Sequence, residues 1–286
     1  MFRHSTNPVS FIFVLIAALI FSLSLGGVAA AQTNTSLGTN ALVSNITGVN
    51  NTAVGFQTLF SNSTGNANTA NGVNALVSNT TGGANTASGV NALLSNTTGS
   101  QNTVSGVNAL FSNTTGNNNT ASGVNALFSN STGIANTASG VNALISNTTG
   151  SFNTASGVQA LVFNTTGNNN TATGFQALFS NTTGIRNTAS GVRALNSNTT
   201  ATFNTATGFE ALFSNTTGQG NNAHGDQALF INNTATTTPA FGDIALSNNS
   251  TGSQNSAIGA NRVRVRDNRR ARGSTKDKGG SEKPCS

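Results

Sequence analysis

Apolar and polar positions along most of this chain follow one schedule. Gly recurs every seventeenth residue, without a slip, from Gly38 through Gly55 and Gly72 to Gly259. A Leu column on the same period runs from Leu42 to Leu246, and an Asn column from Asn45 to Asn249. The unit reads N-T-A-S-G-V-N-A-L-F-S-N-T-T-G-x-x. A fixed period of this length marks a stacked array, in which each unit buries its apolar face against its neighbours. Helical repeats need about thirty residues or more per unit, and this one is crowded with Asn, Thr, Ser and Gly, which favour turns over helices. Strands fit the pattern. In Thr86-Ala87-Ser88-Gly89-Val90, period-2 alternation puts Ala87 and Gly89 on one face and Thr86, Ser88 and Val90 on the other. Ala92-Leu93-Leu94 supplies a second short apolar stretch, and Ser95 to Gly99 reads as a turn. The expectation is an all-β parallel β-solenoid, or β-roll, of 17-residue coils with two short strands and two turns per coil. Stacking at ~4.8 Å gives a rod on the order of 65 Å long.

Within each coil three positions are structural columns: Gly89, Leu93 and Asn96, then Gly106, Leu110 and Asn113, then Gly123, Leu127 and Asn130. In-register stacking aligns the Asn side chains for amide ladders. The Gly column marks a tight backbone approach or a positive-φ turn. The core is thin, with one Leu, two Ala and one or two larger apolar residues per coil. Two further apolar columns, containing Phe56, Val73 and Phe175, and Phe60, Phe111 and Phe179, are candidates to face a partner chain. A homotrimer is the expectation from them, and an isolated narrow solenoid is the alternative.

Asn255-Ser256-Ala257-Ile258-Gly259-Ala260-Asn261 and Asn51-Thr52-Ala53-Val54-Gly55 resemble the haemagglutinin-type head repeat of trimeric autotransporter adhesins. The wording N-T-A-V-G-F-Q-x-L-F-S-N is also similar to repeats of exported bacterial and tail-fibre-like proteins. The resemblance covers about Gly38 to Asn261. It implies a left-handed parallel β-roll built from three chains and a role in attachment. The 17-residue period is longer than the usual head unit of that family.

The two ends read differently from the array. Residues 1–31 have a positive start at Arg3, an apolar run from Phe11 to Leu25, and small residues Ala29 and Ala31 before Gln32, the three parts of a secretory signal peptide. Fifteen residues fall short of the ~20 needed to span a bilayer, so a transmembrane anchor is not expected and the product is secreted or displayed at the cell surface. Residues 262–286 break the register in mid-unit at Arg262 and Val263. They hold nine of the chain's twelve basic residues, and read as a polar, disordered tail or as the end of a truncated or frameshifted chain. The net charge of +6 therefore belongs to the ends. Residues 32–261 carry only Arg186, Arg193, Glu210, Asp226 and Asp243, so no nucleic-acid partner is expected for the array.

That scarcity bounds the chemistry. His224 is the only histidine of the array, and its one-off charges form no set for acid–base or covalent catalysis, so the expectation is no enzyme, no cofactor and no metal. Arg193 and Glu210 stand two residues after successive column glycines and should pair across a coil as a weak surface ion pair. Asp226 and Asp243 stack one residue after theirs and should repel unless solvent or a cation screens them. The Asn column creates a sequon in nearly every unit, such as Asn79-Thr80-Thr81, readable as glycosylation sites or as turn chemistry, with turn chemistry preferred. The T-x-S and T-x-T segments, such as Thr171-Ala172-Thr173, would give outward hydroxyl ranks like those of ice-binding solenoids. The function expected is an exported structural and adhesive rod that attaches to a host or matrix surface. An ice-binding face and a passive spacer of a larger surface protein are the alternatives.

Overall fold

The computed structural model describes residues 33–261. The expected signal peptide (1–31) and basic tail (262–286, with Cys285) lie outside the described residues. Within them the chain is an all-β parallel solenoid without helices. Fourteen strands, from β1 (Thr35–Leu37) to β14 (Ala257–Ile258), form one sheet in strict sequence order. Each strand pairs in parallel with the next at an offset of one repeat, so that Thr86 faces Thr103, Ala87 faces Val104 and Ser88 faces Ser105.

Each coil has one short strand, of three residues in all but the two-residue β14, not the two strands expected. The segment holding Ala92-Leu93-Leu94 is a continuous turn. Its backbone explains why. Asn91 and Leu93 lie in the left-handed region at φ 56° and 55°, and Gln101 adds a third such residue at φ 60°. A chain that alternates in and out of this region cannot run as an extended strand. It is still stitched to its neighbours. Leu93 and Ser95 donate their N–H groups to Ala109 and Phe111 of the following coil, both at 3.0 Å. Asn91 donates back to Val73 at 2.9 Å and Gln101 back to Gly83 at 3.0 Å. Each coil thus bonds to both neighbours around its circuit, which meets the demand that buried backbone groups be paired.

The strand alternation is as expected. Ala87 is buried between exposed Thr86 and Ser88, and Val90 is 42% exposed. Gly89 combines both expected reasons for a glycine column. Its φ is +140°, and a Cβ there would stand 2.5 Å from the carbonyl oxygen of Gly106 in the next coil. Only a residue without a side chain lets adjacent coils approach so closely.

The interior is a narrow strip of Leu and Ala bordered by two buried Asn ladders. Leu59 to Leu229 of the Leu column are fully buried, as are the alanines beside them. In the sequon ladder, Asn96 Nδ2 donates to Asn79 Oδ1 at 2.8 Å and to its own turn's Gly99 carbonyl at 2.9 Å. In the second ladder, ahead of each strand, Asn102 donates its backbone N–H to Asn85 Oδ1 at 3.0 Å and its Nδ2 to Gly116 O at 2.9 Å. Polar groups this deep are tolerated because they are satisfied coil by coil.

Candidate functional site

The structural columns named from sequence are where the fold needs them. Gly89, Gly106 and Gly123 have φ of 140°, 140° and 135°. Leu93, Leu110 and Leu127 form the spine of the core, and Asn96, Asn113 and Asn130 are consecutive rungs of the sequon ladder, all without solvent exposure. These residues hold the scaffold together and offer nothing to a ligand. The side chains of the Asn column from Asn62 to Asn232 are fully buried, with their amide nitrogens engaged inside the rod, as turn chemistry requires.

Function has to come from the outward columns. The first pair is the strand face. From Thr86 to Thr205 and from Ser88 to Thr207, hydroxyl residues stand on either side of a buried Ala (Val104 in one strand), and in every strand but the last of these both are exposed. The second is apolar. One residue after each column glycine stand Phe56, six valines from Val73 to Val158, Phe175, Val192 and Phe209, all between 41% and 45% exposed. A half-buried apolar column lies four residues further on; in it Phe111 stacks on Phe128 with ring centroids 5.0 Å apart, and Phe213 on Phe230 at 5.2 Å. The two apolar columns flank an outer amide ladder, in which Asn91 Nδ2 donates to Asn108 Oδ1 at 3.1 Å. That ladder starts at Asn74, whose Oδ1 receives no hydrogen bond, because the preceding coil carries the longer Gln57 there.

Charges enter these columns only where a partner is ready. Arg193 Nη1 lies 3.5 Å from Glu210 Oε1, as their register predicts. Gln176 Oε1 accepts from Arg193 Nε at 3.4 Å, and Glu210 Oε2 accepts from Gln227 Nε2 at 3.1 Å, so the ion pair replaces two rungs of the amide ladder. Arg186 sits over the Phe203 ring, 5.3 Å from its centroid. Sequence reasoning missed what holds Asp226 and Asp243. Asp226 Oδ1 accepts the backbone N–H of Phe209 at 3.0 Å, and Asp243 Oδ1 accepts that of Asp226 at 3.1 Å. Each carboxylate reaches back to the preceding coil and satisfies a backbone N–H there. No cation is needed to explain the pair.

Among the described residues there is no group of three or more His, Cys, Asp or Glu placed to hold a metal ion, and no helix long and apolar enough to cross a membrane. His224 stacks on Phe241 at 5.2 Å, one coil apart in the sheet. A shallow depression of about 400 Å³ is lined by Thr237, Pro239, Gln254 and Ser256, hydroxyl and amide groups around a proline ring. The described surface is thus dominated by long columns of recurring side chains. Comparison with protein-family models and with curated protein sequences returns no match to this chain.

Proposed function

We propose that the solenoid is an exported, non-catalytic rod that presents a repetitive attachment face. The observation that supports this is the uniformity of its outward columns. The same hydroxyl or apolar side chain recurs at each coil, so one weak contact is repeated along the rod and its strength comes from number. Export rests on the apolar, cleavable-looking segment of residues 1–31, and attachment on the likeness of the N-S-A-I-G unit to adhesin head repeats. The test is retention of beads coated with the full chain on collagen- and fibronectin-coated surfaces against bare ones. Retention on either coat, falling when Thr137, Thr154 and Thr171 are replaced together by Ala, is the expected result; retention no greater than on the bare surface overturns the reading.

A second reading draws on the strand face alone. Exposed Thr and Ser columns either side of buried Ala make a flat hydroxyl lattice of the kind that could organise water. Thermal hysteresis and shaped ice crystals in a solution of the full chain would favour it, and their absence would remove it.

A further inference from the structure

The column from Phe56 to Phe209 is the longest run of exposed large apolar side chains on the described surface. It runs through ten successive coils, each residue between 41% and 45% exposed, without one polar interruption. Nine intervals of ~4.8 Å make it ~43 Å long. With its amide and hydroxyl neighbours covered to a width of ~20 Å, it would bury on the order of 800 Å² per partner, the area of a standard stable interface. Exposed apolar patches of several hundred Å² on soluble proteins mark contact surfaces.

Periodicity says what fits it. A partner of arbitrary shape would meet the stripe over a few coils. A second copy carries the same column at the same spacing and meets it along its whole length. The charges say how the copy lies. Beyond Phe209 the column continues as Asp226 and Asp243, both exposed. Parallel, in-register association of two or three copies would set each Asp against its own counterpart, beside a second Asp one coil away, and like charges so placed are destabilising. An antiparallel arrangement about the midpoint between Val124 and Val141 avoids this. It opposes Val124 to Val141 of the second copy and Phe56 to Phe209. Asp226 then faces Thr39 of the same column, an exposed residue whose hydroxyl can donate to a carboxylate, and Asp243 lies beyond the last opposed pair.

We propose that two copies of this chain associate side by side and antiparallel along the Phe56–Phe209 column, with Asp226 and Asp243 disfavouring parallel assemblies. The proposal needs only the solenoid and is independent of whether the rod attaches to anything.

Sedimentation of the full chain tests it, with the wild type, two variants and their mixture. The wild type is expected to be a dimer at micromolar concentration. Val124→Lys and Val141→Glu should each weaken the dimer about a hundredfold or more, because each buries an unpaired charge opposite an apolar residue. Native Asp226 and Asp243 in the same column show that the coil accepts a charge there, so circular dichroism should be unchanged and loss of folding is separable from loss of pairing. An equimolar mixture of the two variants should recover a dimer, since antiparallel pairing sets the introduced ammonium of one against the introduced carboxylate of the other. A monomeric wild type overturns the proposal. So does a trimer, which would restore the parallel assembly implied by the adhesin resemblance. Failure of the mixture to recover the dimer overturns the antiparallel geometry.

Discussion

Replacing Asn130 by Ala tests whether the buried ladder holds the rod together. Asn130 Nδ2 donates to Asn113 Oδ1 at 3.0 Å and to Gly133 O at 3.1 Å, and Asn130 Oδ1 accepts from Asn147 Nδ2 at 2.8 Å. The Gly133 carbonyl would keep a donor, because Asn119 Nδ2 also reaches it at 2.8 Å. Asn113 Oδ1 and one N–H of Asn147 would keep none, and both side chains are fully buried. Each stranded group costs about 1–3 kcal/mol, so Asn130→Ala should destabilise the array by about 2–6 kcal/mol. The control is Ser139→Ala, an exposed hydroxyl on the outer face of its strand, which should stay within about 0.5 kcal/mol of wild type. The chain has neither Trp nor Tyr, so unfolding is best followed by far-ultraviolet circular dichroism in urea. Amide exchange should be read in parallel, because a stack of coils can open locally. Faster exchange should centre on the coils holding Asn113, Asn130 and Asn147 and fade with distance. Stability within about 0.5 kcal/mol of wild type, or exchange unchanged at those coils, would refute the claim that the ladder's hydrogen bonds contribute to the fold.

Three further outcomes follow from the same geometry. Gly123→Ala should cost about 3 kcal/mol or more, read as a lowered urea midpoint, since φ is +135° and the new Cβ would stand 2.6 Å from Gly140 O. Leu127→Val should cost about 2–3 kcal/mol, combining a lost methylene with a β-branched residue forced to φ 54°, whereas Ile145→Val in the half-buried column should cost about 1 kcal/mol; equal losses would contradict the backbone argument. Full chain recovered folded from a glycosylating secretory host should carry no glycan at the Asn column from Asn62 to Asn232, read by peptide mass mapping, because those side chains are buried and their amide nitrogens occupied; the exposed off-column sequons at Asn118 and Asn169 serve as the internal comparison.

The coil period, the parallel register, the glycine column and the Asn ladders were legible because each rests on identity between units, and identical units stacked in register must place like on like. The path of the chain inside one coil was not, since it depends on backbone angles that no column announces by apolarity. Ala92-Leu93-Leu94 looks like a strand by hydrophobicity and is a turn by φ. A signal for this was present in residue choice. Position Leu93 is Leu in thirteen successive coils and never Val or Ile, while the very next position exchanges Val, Leu, Ile and Phe freely. β-Branched residues are excluded from the left-handed region and unbranched ones are not, so that restriction reports the positive φ at Leu93 and its column. The neighbouring Asn91 column, held mostly by Asn and Gln, says the same; Ile244 at φ 58° is its one β-branched member, in the second-last coil. The outward surface was legible in part. Outward Thr, Ser and Val followed from alternation, but the backbone bonds of Asp226 and Asp243 need the offset between coils, which the period alone does not contain.

The low charge of the array and its seventeen-residue period are consequences of one geometry. In-register stacking sets every side chain ~4.8 Å from its counterpart in the next coil, so a charged residue placed in the repeat would face its own charge along the whole rod. Side chains that attract their own kind escape this: Asn and Gln are both donor and acceptor and form ladders, Thr and Ser do so through hydroxyls, and Val, Leu and Phe pack. The exceptions obey the rule. Arg193 and Glu210 are adjacent rungs of opposite sign, Arg186 lies on the Phe203 ring, and Asp226 and Asp243 bind backbone N–H groups of the preceding coil. The two arginines and Glu210 each have a neighbour that is not their copy, and the stacked Asp226 and Asp243 each take a backbone N–H instead. Such a surface repeats one outward side chain, and with it one weak contact, as many times as there are coils. For that reason a long contact face follows from this fold more directly than any pocket does.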